Sequence, residues 1–161
     1  MVLIMEFFVD GACRGNGRPG AIGAAAAVRR YRDGMESHRT SQLNTDEHRA
    51  TNQRAEILAI ILALEWAMDI YDTLNNSPRI TVTIHSDSKY AVNCMNEWLA
   101  LWSNKGWITS SGSPVANQDI LRDAIDAENR VLHVGKVVYK RVRRDKVSKA
   151  DELCNEVLNN M

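Results

Sequence analysis

From Val2 to Asp10 nearly every position is apolar, with Val2, Ile4, Phe8 and Asp10 on one side of an extended segment and Leu3, Met5, Phe7 and Val9 on the other. This predicts a strand buried on both faces, with Asp10 at its C-terminal end. Gly11 to Gly20 is glycine-rich and closes on the turn Arg18-Pro19-Gly20. The small side chains of Ala21 to Tyr31 then predict a second strand, and a third follows Asp33-Gly34, giving an antiparallel meander. Thr51 to Asp69, rich in alanine and leucine, with a polar start and apolar residues nearly all round, predicts a buried central helix. Beyond Pro78, the alternation in Ile80-Thr81-Val82-Thr83-Ile84 predicts a strand that sets Thr81, Thr83, His85 and Asp87 on one face, Asp87 lying just past its end. Ser88 to about Trp102 reads as one or two helices, Gly106 to Pro114 as an exposed loop, and Asn117 to Asn129 as a helix. Val137 to Val142 reads as a fifth strand, and a last helix starts near Lys149. The order βββ-α-β-α-α-β-α predicts an α/β fold: one mixed five-stranded sheet, three antiparallel strands then parallel ones, covered by helices.

At 161 residues and 45% hydrophobic composition, residues 1–161 suit a single domain. Cys13, Cys94 and Cys154 have neither CxxC nor metal-ligand spacing, and their odd number argues against a disulfide framework, so a reducing compartment fits. The apolar start lacks a basic n-region and a cleavage site and is too short to span a bilayer. The expected location is intracellular, nuclear or cytoplasmic, with no signal peptide or transmembrane segment.

A formal net charge of zero argues at first against a nucleic-acid partner. The average hides an asymmetry. Lys136, Lys140, Arg141, Arg143, Arg144, Lys146 and Lys149 are accompanied by one acid, Asp145, a local charge of +6, which leaves 13 basic and 19 acidic residues elsewhere. Alone, such a run reads as a solvated surface.

Three acids fall where open α/β sheets place their sites: Asp10 and Asp87 at strand ends, and Glu56 early in the apolar helix. Glu56, between Ala55 and Ile57, needs a positive partner if buried: Arg54 or another cation in a structural pair, or a metal. Asp10 and Asp87 each read equally well as turn-capping residues. Carboxylates clustered without His or Cys select a hard divalent cation such as Mg²⁺ or Mn²⁺ over zinc. Two such ions suit phosphodiester hydrolysis and call for a fourth carboxylate.

Val9-Asp10-Gly11-Ala12-Cys13-Arg14-Gly15-Asn16-Gly17, Thr51-Asn52-Gln53-Arg54-Ala55-Glu56 and Ser86-Asp87-Ser88 resemble the type 1 ribonuclease H family in order and spacing. Trp98 and Trp102, followed by Asn104-Lys105-Gly106-Trp107, are similar to its tryptophan segments. Pro114-Val115-Ala116-Asn117 and the closing Ala150-Asp151-Glu152-Leu153 continue the resemblance, which covers roughly residues 4 to 158. It implies the ribonuclease H-like fold and a hydrolase that cuts the RNA strand of RNA–DNA hybrids endonucleolytically, leaving 5′-phosphate and 3′-hydroxyl ends. It also implies two Mg²⁺, with Mn²⁺ a possible substitute, one held by Asp10 and Asp151 and the other by Asp10, Glu56 and Asp87.

By the same resemblance Gly11, Cys13, Asn16, Asn52 and Gln53 meet the RNA strand, where the minor groove presents the 2′-hydroxyls. Asn16, Asn52 and Gln53 also suit turn and helix capping. Arg49, Thr51 and Asn117 match a pocket for a phosphate of the DNA strand. Tyr90, Trp98, Trp102 and Ser110 match a channel against deoxyribose, although Trp102, four residues after Trp98, fits a core position equally.

The loop before Asp151 holds no histidine, where many family members carry one. It resembles the branch common in fungi, with Arg144 seven residues before Asp151, and Arg144 is expected to contact a phosphate near the scissile bond and join the catalytic set. The loop after Trp102 has Lys105 as its one basic residue, which implies modest affinity. The expected partner is the hybrid substrate, bound by a monomer away from any membrane. Two alternatives remain: a nuclease of the same superfamily acting on double-stranded RNA, and a non-enzymatic binding module. The recognition residues argue against the first and the four carboxylates against the second.

Overall fold

The computed structural model describes all of residues 1–161. Five strands, β1 (Val2–Arg14), β2 (Ile22–Arg30), β3 (Glu36–Gln42), β4 (Arg79–Ser86) and β5 (Gly135–Arg141), form one sheet in the order β3-β2-β1-β4-β5. The first three pair antiparallel, whereas β1, β4 and β5 run parallel. The predicted mixed sheet is therefore present.

Helix α1 (Asn52–Asp72) and helix α4 (Gln118–Leu132) cover one face. Phe7, Ile57, Ile60, Leu64, Ile84 and Leu121 fill the space between them and the sheet. Helix α5 (Ser148–Asn159) covers the other face over β1 and β2, where Phe8, Ala24, Ala26 and Val28 meet Val147, Leu153, Cys154 and Leu158. β2 is covered on both sides, by α1 and α5, and its run of alanines from Ala24 to Ala27 is fully buried between them.

Several boundaries differ from the expectation. Strand β1 does not stop at Asp10 but continues to Arg14, because β2 pairs with it from Glu6↔Arg30 through Arg14↔Ile22, while the parallel ladder with β4 ends at Val9↔Ser86. Asp10 thus lies where the parallel sheet ends, within a strand rather than a turn. The early part of β1 is not buried on both faces, since Val2 and Ile4 are exposed. The segment after Asp87 is split into α2 (Lys89–Asn93), a π-helical turn over Cys94–Trp98, and α3 (Leu99–Asn104). The expected exposed loop Gly106–Pro114 includes a buried anchor, Trp107, whose ring lies under Arg122, and an Ile108↔Pro114 bridge. No helix is long and apolar enough to cross a membrane.

Candidate active site

Two features bring α1 against β1. Gly11 has no side chain, and a Cβ there would overlap the backbone C and O of Ala55 and lie 2.5 Å from the N of Glu56. Asn16 Oδ1 accepts from the N–H of Asn52 at 2.9 Å and Thr51 Oγ1 from that of Arg54 at 3.1 Å, so two polar side chains satisfy the first turn of α1. Glu56, one turn further on, faces Asp10 as a result. Ser88 caps α2 through Ala91 N–H at 3.1 Å, and its own N–H donates to Ser86 Oγ at 3.1 Å, setting the loop that carries Asp87.

Asp10, Glu56 and Asp87 each present a carboxylate oxygen, all within 4.8 Å of one another. Asp151 stands outside this group of three, on the first turn of α5, near enough for its charge to act on Asp10. Cys154, one turn further along α5, donates Sγ–H to the carbonyl of Asp10 at 3.2 Å and fixes the helix against the strand.

Such crowding is electrostatically unfavourable. Burial first, then repulsion from Asp87, Glu56 and Asp151, pushes the Asp10 carboxyl up to about 8. Burial raises Glu56 to about 7, with the Ser88 hydroxyl and the charge of Arg144 pulling the other way. Glu56 Oε2 and Asp87 Oδ1 are buried without a hydrogen-bond partner. Unpaired buried oxygens and carboxyls that hold their protons are what a missing positive charge leaves behind, and an all-oxygen donor set suits a hard divalent cation.

Arg54 does not neutralise Glu56. The two are about 200° apart around α1, and both Nη atoms of Arg54 donate to Asp119, at 2.8 and 2.7 Å. Sequence reasoning missed this pair. Neither partner stands at a spacing that announces the other, because one helix start meets another only in the fold.

The remaining candidates fall into two groups beside the cluster. Gly11 and Cys13 lie on β1, Asn16 just beyond it, and Asn52 and Gln53 on the first turn of α1, the last two exposed. Arg49, Thr51 and Asn117 line one cleft of about 690 Å³. Asn117, left-handed at φ 62°, precedes α4, and its Nδ2 donates to Gln53 Oε1 at 3.2 Å and Tyr90 Oη at 3.1 Å, joining the two groups. Tyr90, Trp98 and Trp102 form an aromatic row with centroids 6.3 and 5.6 Å apart. Both tryptophans are half-buried, so Trp102 packs on the core while keeping an open face, and Ser110 is exposed. Arg144 is exposed in the single 3₁₀ turn Arg144–Val147, near enough for its charge to act on Glu56.

The chain is 38% identical over 123 residues to a ribonuclease H of Novosphingobium aromaticivorans, a match covering 76% of this chain and 74% of that one. It is 33% identical over 155 residues to a ribonuclease H of Thiobacillus denitrificans, covering 95% and 92%. Among solved structures, RNase H1 from the halophilic archaeon Halobacterium salinarum NRC-1 superposes with a TM-score of 0.66 at 26% identity, covering 98% of this chain and 99% of that one. The RNase H family profile matches residues 4–155, a span that takes in all four carboxylates. With the sheet order, the acidic cluster and these relatives in agreement, the chain belongs to the ribonuclease H family and is an enzyme of that kind.

Proposed function

We propose that the chain, as one catalytic domain over residues 1–161 acting as a monomer, hydrolyses the RNA strand of RNA–DNA hybrids endonucleolytically and leaves 5′-phosphate and 3′-hydroxyl ends. What supports this most is the convergence of Asp10, Glu56 and Asp87, with two of their oxygens buried and unpartnered, on ground that a hard cation would neutralise. Asp10 and Asp151 would hold one Mg²⁺ and Asp10, Glu56 and Asp87 another, with Mn²⁺ able to replace either. Bound there, the ions would supply the Lewis acidity that makes water a nucleophile at neutral pH and stabilises a leaving oxygen.

The protein's own groups do the rest. Ser88 caps the helix that follows Asp87, and the Cys154 thiol holds the strand carrying Asp10. Arg144, whose charge reaches Glu56, meets a phosphate beside the scissile bond. Gly11, Cys13, Asn16, Asn52 and Gln53 read the RNA strand where its 2′-hydroxyls are presented. Arg49, Thr51 and Asn117 grip a phosphate of the DNA strand, and Tyr90, Trp98, Trp102 and Ser110 pack against its deoxyriboses. The Gln53–Asn117–Tyr90 hydrogen bonds make the two strands' contacts one surface.

The test is cleavage of end-labelled hybrid, duplex RNA and duplex DNA with Mg²⁺ and with chelator. Cutting confined to the RNA of the hybrid, and abolished by chelator, is expected. Cutting of duplex RNA at a comparable rate would assign the other substrate.

A further inference from the structure

The cleft assigned to a DNA phosphate contains a group that should repel one. Asp119, on the first turn of α4, lines it beside Arg49, Thr51 and Asn117. Its side chain is 46% exposed, and hydrogen bonds from Arg54 hold its carboxyl down at about 2, so it is ionised at any working pH. An uncompensated carboxylate within a few ångströms of a bound phosphate opposes binding, the more so in a partly enclosed cleft.

Arg54 answers that charge. It is 6% exposed, among the few charged residues buried in the protein, and its planar fork meets both Asp119 oxygens at 2.8 and 2.7 Å. His48 Nε2 lies 3.5 Å from the same carboxylate. Arg54 also lines the cleft, so the pair joins the start of α1, where Thr51 is the cap, to the start of α4, which Asn117 precedes.

We propose that Arg54 is a positioning residue for the DNA strand: by cancelling the charge of Asp119 it turns the cleft of Arg49, Thr51 and Asn117 into an anion site. This rests on the reading of that cleft as a phosphate seat. The two partners are therefore unequal. Removing Arg54 strands a negative charge where the phosphate must sit, whereas removing the charge of Asp119 leaves the cleft more positive.

Steady-state cleavage of hybrid by Arg54→Gln, Asp119→Asn and the double variant tests it, with thermal unfolding in parallel. Arg54→Gln should raise KM at least tenfold with kcat within twofold, Asp119→Asn should leave KM unchanged or lower, and the double variant should recover most of the loss. A purely structural pair predicts equal damage from either single change, and that result overturns the proposal. Should Arg54→Gln fail to fold, Asp119→Asn decides alone: a KM raised fivefold or more overturns it, and an unchanged or lowered KM supports it. Hybrids carrying one neutral methylphosphonate at successive DNA positions separate the two layers. If no position weakens the unaltered enzyme, the phosphate seat is wrong and the proposal falls with it. If one does, the Arg54→Gln penalty should vanish on that hybrid, and its persistence overturns the role of Arg54 alone.

Discussion

Replacing Gly11 with alanine puts a methyl group where α1 already lies. The new Cβ would overlap the carbonyl of Ala55 and lie 2.5 Å from the N of Glu56, against the 3.4 Å at which ordinary contact begins. Both obstacles are backbone, so no side chain can swing aside, and α1 must retreat by about 1 Å from β1. Overpacking of this kind costs about 1–3 kcal/mol, which in a chain of this size lowers Tm by about 2–12 °C. The larger effect is on chemistry, because Glu56 rides on the displaced turn and a shift of about 1 Å at a catalytic group can cost about 100-fold in rate. Thermal unfolding and single-turnover cleavage of hybrid at saturating Mg²⁺ measure the two effects. Gly34→Ala is the control: its φ of +87° strains a side chain, yet nothing lies within 4 Å of the new Cβ, so it should lose some stability and no rate. A Gly11→Ala rate within twofold of the unaltered enzyme would refute the claim that this helix–strand approach sets the site.

Without divalent cation, Asp10 and Glu56 keep protons up to about 8 and about 7, whereas unfolded carboxylates ionise near 4. In between, the folded protein binds more protons than the unfolded chain, so these groups' contribution to stability falls as pH rises from about 4 to about 8. Asp10→Asn should therefore melt above the unaltered protein at pH 8 in chelator, converge with it near pH 4, and have no activity; a lower Tm at pH 8 would contradict the sign. Mg²⁺ should raise the unaltered protein's Tm more at pH 8 than at pH 6, because protons compete for the same oxygens. Arg144→Ala should raise KM and slow multiple turnover several-fold, and unchanged constants would remove Arg144 from the site. Trp107→Ala, emptying a buried anchor, should cost about 3–5 kcal/mol, read as a Tm lower by about 10 °C.

Much of the fold was legible because the hydrophobic pattern is strong where burial is complete. The alternation of β4, the alanines of β2 and the length of α1 all follow from which faces are covered. Boundaries were less legible where pairing partners end at different places: β1 outlives its parallel neighbour by hydrogen-bonding to β2 as far as Arg14. Trp107, set among glycines, serines and a proline, reads as loop because nothing local announces that it is buried beneath Arg122 of α4.

The four carboxylates divide along the same line. Residue types, their order and, through the family resemblance, the expected chemistry are legible along the chain, since hard anionic ligands and their spacing are properties of its covalent structure. That three of them converge within 4.8 Å while Asp151 acts on Asp10 from α5, and that Arg54 answers Asp119 rather than Glu56, emerges from the folded arrangement alone. The reason is physical: charges and close approaches act through space, and the carboxylates that repel one another here are separated by up to 141 positions along the chain, from Asp10 to Asp151.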